Sequence, residues 1–199
     1  MDKAKLQRLY LDEKLSARQI ADQLGESEAK VVYWLDKYKI PKRSVSDAIY
    51  NRINGKTDPF TVKADLSSDD ERLKAAGLTL WVAEGSLKNK DTVYASNSNP
   101  SVIKVFLNFL LRICGVNKEK IRLRILYYPN MDLTMDEVKS FWLNKTGLSS
   151  SQIAVDIYRA KHNFRTKSEY GTATVLCSNV KLRQQMEQWL NEMYEEIGQ

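Results

Sequence analysis

A single helix organises the second half of this chain, and its sequence is Glu71-Arg72-Leu73-Lys74-Ala75-Ala76-Gly77-Leu78-Thr79-Leu80-Trp81-Val82-Ala83-Glu84-Gly85-Ser86. At helical spacing, one side of it presents Leu73, Ala76, Gly77, Leu80 and Glu84. That side is narrow in the middle, because Ala76 and Gly77 let another backbone come close. The helix is predicted to end at Gly85, directly after a carboxylate.

Gly77 is the unusual residue of this helix. A glycine inside a helix costs about 1 kcal/mol relative to alanine, so the position needs a packing reason. If a second copy of the helix packs on this side, two Glu84 side chains meet at the end of the seam. Paired carboxylates repel unless a proton or a cation lies between them, and a hard divalent cation such as Mg²⁺ suits them. The alternative is a buried amphipathic helix that ends in a solvated glutamate.

Composition indicates a folded chain with a mild preference for anionic partners. The 199 residues are 43% hydrophobic with a net charge of +6, and the pI is about 9.2. This length allows one domain of ordinary size plus a small one, and the positive charge favours nucleic acid as a partner. Cys114 and Cys177 lie in apolar sequence and are predicted to be reduced core residues, as in a cytoplasmic, organellar or nucleoid-associated protein. The sequence shows no signal peptide, and its most apolar segment, 102–116, is too short and too charged to span a membrane.

Residues 1–43 have the pattern of a helix-turn-helix domain. Helices are predicted over 3–11, 17–24 and 28–39, with Ser16 and Ser27 as N-caps and Gly25 in the turn. The run 16–25, continued to 34–35, resembles the DNA-binding form of this motif that transcription factors and recombinases use. The resemblance implies that the third helix enters a major groove.

The DNA contacts predicted for this domain are Lys30, Tyr33, Lys37, Lys42 and Arg43. Lys42 and Arg43 directly follow the third helix and are expected to lie along a phosphate backbone. This helix is less basic than most recognition helices, so a helical module for protein contacts is the alternative.

The rest of the chain is predicted to be a linker and an α+β domain. Residues 44–68 read as a linker with one short helix, because turn-forming residues follow at 54–59. For 69–199, the predicted order is helix, two strands, helix, strand, inserted helix, two strands and helix. After the first helix, the predicted strands are 86–88, 92–96, 121–128, 153–158 and 171–177, and the predicted helices are 101–114, 135–145 and 179–193.

Residues 77–85, followed by Ser86, resemble the signature helix of the LAGLIDADG homing endonucleases, with Ala83-Glu84-Gly85 as its last three positions. The sequence departs from the pattern at Val82, where the family name has an acid that is not the metal ligand. The segment 44–68 also resembles the connection between a helix-turn-helix and a LAGLIDADG domain. Both motifs in this order imply the single-motif form of the family, with an αββαββα core and here an inserted helix.

In that family the sheet forms a saddle over the DNA major groove. The strand 121–128 alternates apolar residues with Arg122 and Arg124, which gives it a basic outer face. The resemblance implies DNA contacts from Lys88, Lys90, Tyr94, Arg122, Arg124, Arg159, Lys161, Arg165 and Lys167. The alternative for such a basic face is an ordinary solvated surface.

Glu84 falls on the position that binds the catalytic metal in this family. The resemblance therefore implies Mg²⁺, or another divalent metal, held at Glu84 and Gly85. It also implies a basic residue near the scissile phosphate, for which Lys161 is predicted, with His162 and Lys167 as alternatives.

Only one acidic signature helix is found in this sequence, so a complete site is predicted to need a homodimer. The predicted interface residues are Leu73, Ala76, Gly77 and Leu80.

Three functions are compatible with these patterns. The first is a homodimeric, Mg²⁺-dependent, site-specific endonuclease that cuts double-stranded DNA and mobilises an intron. The second is a regulator that keeps the nuclease fold but does not cleave, like the sporulation regulators of the WhiA type. The third is an RNA-splicing maturase. Glu84 favours the first function. The third helix is less basic than most recognition helices, which keeps the second function open.

Overall fold

The chain forms two compact units, Met1–Asp58 and Pro59–Gln199. The structure is a computed structural model, and it describes residues 1–55, 57–129, 131–159 and 168–198, with the backbone alone at 45 and 46. Lys161, His162, Arg165 and Lys167, which the sequence proposed as functional residues, lie outside the described residues. No helix in the described part of the chain has the length and apolar character needed to cross a membrane.

The first unit contains four helices in its described residues. They are α1 (Lys3–Gln7), which continues into a π-helical turn (Arg8–Asp12), α2 (Ala17–Leu24), α3 (Glu28–Lys37) and α4 (Val45–Asn54). The predicted caps are confirmed, because Ser16 accepts from the Gln19 N–H and Ser27 accepts from the Lys30 N–H. Gly25 takes the left-handed conformation between α2 and α3. The buried core is Leu6, Leu9, Tyr10, Ile20, Ala21, Val31, Leu35 and Ile40.

The second unit is a mixed α and β structure, which confirms the predicted α+β class. Its described elements are α5 (Ser68–Glu84), β1 (Thr92–Asn97), α6 (Pro100–Asn108) with a π-helical turn (Phe109–Ile113), β2 (Arg122–Tyr127), α7 (Met135–Thr146), β3 (Ile153–Ile157), β4 (Thr172–Ser178) and α8 (Val180–Ile197). Short 3₁₀ helices precede β2 at Lys118–Lys120 and β3 at Ser150–Gln152. The strands form one sheet in the order β1-β4-β2-β3, in which β2 and β3 are parallel and the other pairs are antiparallel.

The predicted first strand of a hairpin, at 86–88, is wrong. These residues form turns, in which the Lys88 N–H donates to Ser86 Oγ at 3.2 Å and the Asp91 N–H donates to Asn89 Oδ1 at 3.4 Å. Such local bonds compete with a strand ladder for the backbone donors. β1 pairs instead with β4, from Thr92 opposite Ser178 to Asn97 opposite Ala173.

The core of the second unit lies between the helices and the inner face of the sheet. Leu78 and Trp81 of α5 are buried there with Val93 and Ala95 of β1. Both cysteines are buried and free, as predicted. Burial raises the pKa of the Cys177 thiol to about 11.

Gly77 packs within its own chain. A Cβ atom at this position would lie 2.1 Å from Cγ of Phe109, whose ring is fully buried. The missing side chain therefore makes room for the π-helical turn after α6. This corrects the prediction that a second copy of the helix supplies the close contact at Gly77. Because Gly77 is buried within its own chain, it is not available to the predicted dimer interface.

Asp70 connects the start of α5 to two other segments of the same unit. Its side chain is 2% exposed and forms ion pairs with Lys63 and Arg112. It also accepts hydrogen bonds from the N–H and the hydroxyl of Ser67, which completes a capping box. The bonds from Lys63 and Ser67 hold the pKa of Asp70 well below its usual range.

Asp70→Asn is expected to lower the free energy of unfolding of the second unit in a pH-dependent way. Because the folded state depresses the pKa of Asp70, its stabilising effect is fully present above the unfolded value of about 3.9 and is lost as the pH falls below it. Urea denaturation at a series of pH values should show a deficit near neutral pH that narrows under acid. Asp69→Asn is the control, since the Asp69 side chain is 81% exposed. A deficit of equal size at all pH values would contradict the ionic role.

Candidate functional site

The end of α5 is fixed against β1. A Cβ atom at Gly85 would lie 2.3 Å from the carbonyl oxygen of Tyr94 and 2.5 Å from that of Trp81, so only glycine allows this approach. The Gly85 N–H closes the helix by donating to the Trp81 carbonyl. Glu84 is thereby placed next to the first strand of the sheet. Its side chain is partly exposed and has no hydrogen bond or ion pair within the described residues.

The outer face of the sheet brings together three of the predicted DNA contacts. Tyr94 and Arg122 both lie opposite Leu176 of β4, on its two sides, and Arg124 lies one row further along β2. Because paired residues on neighbouring strands point to the same face, these three side chains share one surface. The rest of that surface is rich in hydroxyl groups, from Thr92, Ser96, Thr172, Thr174 and Ser178.

The two arginines on this face already have partners. Arg122 donates to the backbone carbonyls of Glu119 and Ile121. Arg124 lies 3.7 Å from Asp156 of β3, and both side chains are more than half exposed. An exposed pair of this kind is worth at most about 1 kcal/mol, so Arg124 is able to turn toward a ligand.

Three further predicted contacts occupy exposed positions outside the strands. Lys88 and Lys90 lie in the turns between α5 and β1, and Arg159 follows β3.

In the first unit, the exposed side of α3 carries both aromatic and charged side chains. Tyr33 is 57% exposed, and Lys37 lies with its Nζ 4.5 Å from the centre of the Trp34 ring. Lys30 pairs with Glu26 at 2.7 Å, and Lys42 pairs with Asp36 at 2.7 Å. These cations are accessible and only weakly held, so the structure is compatible with the predicted contacts at Lys30, Tyr33, Lys37 and Lys42.

Arg43 differs from its neighbours, because its guanidinium group points into its own unit. It donates to the backbone carbonyls of Lys14 and Leu15 and lies 4.3 Å from the centre of the Tyr10 ring. The Arg43 N–H also donates to the Tyr10 hydroxyl at 3.2 Å. The prediction that Arg43 lies along a phosphate backbone is therefore corrected, since its donors hold the segment after α3 against the turn before α2.

Arg43→Lys is expected to destabilise the first unit by about 1–3 kcal/mol, because an ammonium group cannot replace the forked donor and its contact with the ring. Hydrogen exchange of the amides in α2 and α3 measures this loss. Lys42→Ala serves as the control, since the Lys42 side chain is 48% exposed. Unchanged exchange together with weaker DNA binding would instead make Arg43 a DNA contact.

The exposed side of α5 is displaced from the predicted interface. Leu73, Ala76 and Leu80 are partly exposed, whereas Gly77 is buried. Beyond its first turn, the exposed positions of the helix are Arg72, Ala75, Thr79 and Ala83. The last three repeat every four residues and are small, which is the spacing that lets two helices approach closely. The spacing of Ala75, Thr79 and Ala83 is visible in the sequence, but only the fold shows that these residues face outward while Gly77 is buried.

The described residues contain no group of three or more His, Cys, Asp or Glu side chains that could together hold a metal ion. One chain thus offers one carboxylate, from Glu84, and the neighbouring backbone carbonyls. Hard oxygen donors of this kind fit Mg²⁺, and they amount to half of a site.

The chain matches none of the protein-family models, curated proteins or solved structures with which it was compared.

Proposed function

We propose that the chain is a site-specific double-strand DNA endonuclease of the LAGLIDADG kind, which acts as a homodimer and depends on Mg²⁺ or another divalent metal. The observation that supports this most directly is the end of α5. Gly85 allows Glu84 to sit beside β1, where its carboxylate is partly exposed and has no partner within the described residues. A lone carboxylate in such a position is available to a metal ion or to a reacting group.

The outer face of the sheet supplies the surface for the substrate in this proposal. Tyr94, Arg122 and Arg124 lie together on it, and Lys88 and Lys90, in the turns between α5 and β1, are further cations of this proposal. Arg124 can exchange its present partner for phosphate oxygens, which bind a guanidinium group strongly. The hydroxyl groups of the same face can donate to phosphates or base edges.

In the proposed reaction, Glu84 from each of two chains would hold the metal, and the Gly85 carbonyl would be a further oxygen donor. A bound divalent metal would activate water and stabilise the charge that develops on the phosphate. The roles of the protein side chains are to position the phosphodiester and to balance its charge. A twofold axis would match a nearly palindromic target.

The proposed dimer uses the exposed stripe of α5. Thr79→Trp is expected to weaken association on DNA by at least about tenfold, because an indole holds the two helices apart where small residues let them meet. Analytical ultracentrifugation of the protein on a duplex measures this. Ser140→Trp, at an exposed position of α7, is the matched control. A monomer on DNA in the parent protein would refute the dimer.

A non-cleaving DNA-binding regulator is the second candidate. It is favoured by the first unit, which has its own buried core and presents Lys30, Tyr33 and Lys37 without any need for Glu84. Incubating the full chain with a randomised duplex library and Mg²⁺ separates the two candidates. Defined cut ends support the nuclease, whereas enrichment of bound but uncut duplexes supports the regulator.

A further inference from the structure

A groove of about 500 Å³ lies between the first two turns of α8 and the turns that follow α5. Lys88 and Lys90 line it from the turns, and Arg183 and Glu187 line it from the helix. It is formed by residues other than those on the outer face of the sheet, and it does not include Glu84.

Arg183 forms the buried base of this groove. The residue is 6% exposed, and its terminal nitrogens donate to the Leu87 carbonyl at 2.6 Å and pair with Glu187 at 2.7 Å. Its Nε has no hydrogen-bond partner within the described residues. A buried donor without an acceptor is unfavourable, so a ligand that supplies an acceptor oxygen here would be favoured.

A second unpaired donor lies beside the first. The indole Nε1 of Trp81 is buried and also has no partner within the described residues. The Cζ atom of Arg183 is 5.7 Å from the centre of the Trp81 ring. Trp81 does not itself line the groove, so Arg183 Nε is the unpaired buried donor among the described residues that line it.

The charge of the groove specifies the kind of ligand. Lys88, Lys90 and Arg183 contribute three positive charges, and Glu187 contributes the one negative charge among the residues that line it. Glu187 is held by the terminal nitrogens of Arg183, so the two lysines are left without a compensating charge in the groove. The first turn of α8 adds the partial positive charge of a helix N-terminus. A compact oxyanion would accept from the unpaired Arg183 Nε, balance the charge of the two lysines and suit the helix N-terminus.

We propose that this groove binds a phosphate group, with Arg183 Nε as the buried donor and Lys88 and Lys90 as the outer cations. The phosphate belongs either to a DNA backbone or to a free phosphate ion, since both present the same oxygens. The proposal does not depend on whether the chain cleaves DNA.

The test uses the full chain and two matched variants. Lys88→Ala/Lys90→Ala removes the outer cations, and Lys104→Ala/Lys145→Ala removes the same charge from exposed positions of α6 and α7. Inorganic phosphate is titrated by calorimetry at constant ionic strength, and a short duplex is titrated over a series of salt concentrations. The ¹⁵N NMR signal of the Arg183 Nε–H, assigned with Arg183→Lys, is followed in both titrations.

A free phosphate ligand predicts calorimetric binding that weakens at least about tenfold in Lys88→Ala/Lys90→Ala, since two charge-assisted contacts are lost. A DNA phosphate predicts a salt slope that becomes shallower by about 0.9 per lost phosphate contact, with inorganic phosphate binding poorly. In either case the control variant behaves like the parent and the Arg183 signal shifts. The proposal is overturned if the two variants behave alike in both titrations, or if the Arg183 signal stays in place at saturation.

Discussion

Glu84→Gln is expected to retain duplex binding while cleavage in Mg²⁺ falls by at least about a thousandfold. The amide keeps the size of the side chain but removes the negative charge that would hold the metal, and metal catalysis is worth several kcal/mol of transition-state stabilisation. Because Glu84 is partly exposed and has no hydrogen bond within the described residues, the substitution leaves the fold intact. Cleavage is measured on the duplexes that the randomised library selects, and binding is measured on the same duplexes with Ca²⁺ in place of Mg²⁺.

Glu71→Gln is the matched control for this experiment. Glu71 is an exposed glutamate in the first turn of the same helix, so its replacement changes the net charge equally. Cutting by Glu84→Gln at the rate of the parent would remove the nuclease proposal. Binding without cutting by every form of the protein, the parent included, would leave the DNA-binding regulator.

Gly77→Ala is expected to destabilise the second unit by about 1–2 kcal/mol. The new methyl group would meet the fully buried ring of Phe109 at 2.1 Å, a distance that no rearrangement of a single side chain accommodates. Overpacking of a dense core costs about 1–3 kcal/mol, and the better helix propensity of alanine recovers at most about 1 kcal/mol. Hydrogen exchange of the amides in α5 and α6 reports the loss within the full chain.

The cause of that loss is tested by a double-mutant cycle with Phe109→Ala, which removes the Cγ, Cδ1 and Cδ2 atoms that the new methyl group would meet. If the methyl group clashes with the ring, the two changes together destabilise less than their sum. Additive effects would show that Gly77 is required for another reason. That other reason would not be the packing of a second helix on Gly77, because Gly77 is buried against Phe109 within its own chain.

The parts of the fold that were predicted correctly have local causes. Ser16 and Ser27 begin helices because their side chains satisfy the first turn, and this is visible in a few consecutive residues. The alternation along β2 likewise follows from one buried face. Such signals do not depend on which other element lies nearby.

The parts that failed depend on contacts between distant residues. Gly77 has the same local sequence whether Phe109 or a second chain fills the space beside it. Arg43 is an exposed cation by its pattern, and only the fold reveals the carbonyls of Lys14 and Leu15 that it binds. The strand predicted at 86–88 was inferred from a hairpin, although the partner of β1 is β4, which lies some eighty residues later.

The pairing of β1 with β4 has a consequence for synthesis of the protein on the ribosome. β4 joins β1 to β2 in the finished sheet, yet it is the last of these strands to be translated. Until residue 178 leaves the exit tunnel, the edges of β1 and β2 that pair with β4 face no neighbour, and nascent chains of this kind are prone to aggregate. A ribosome that stalls shortly before this point would therefore present an assembly of helices with two open strand edges, which is the form of this protein that chaperones would need to protect.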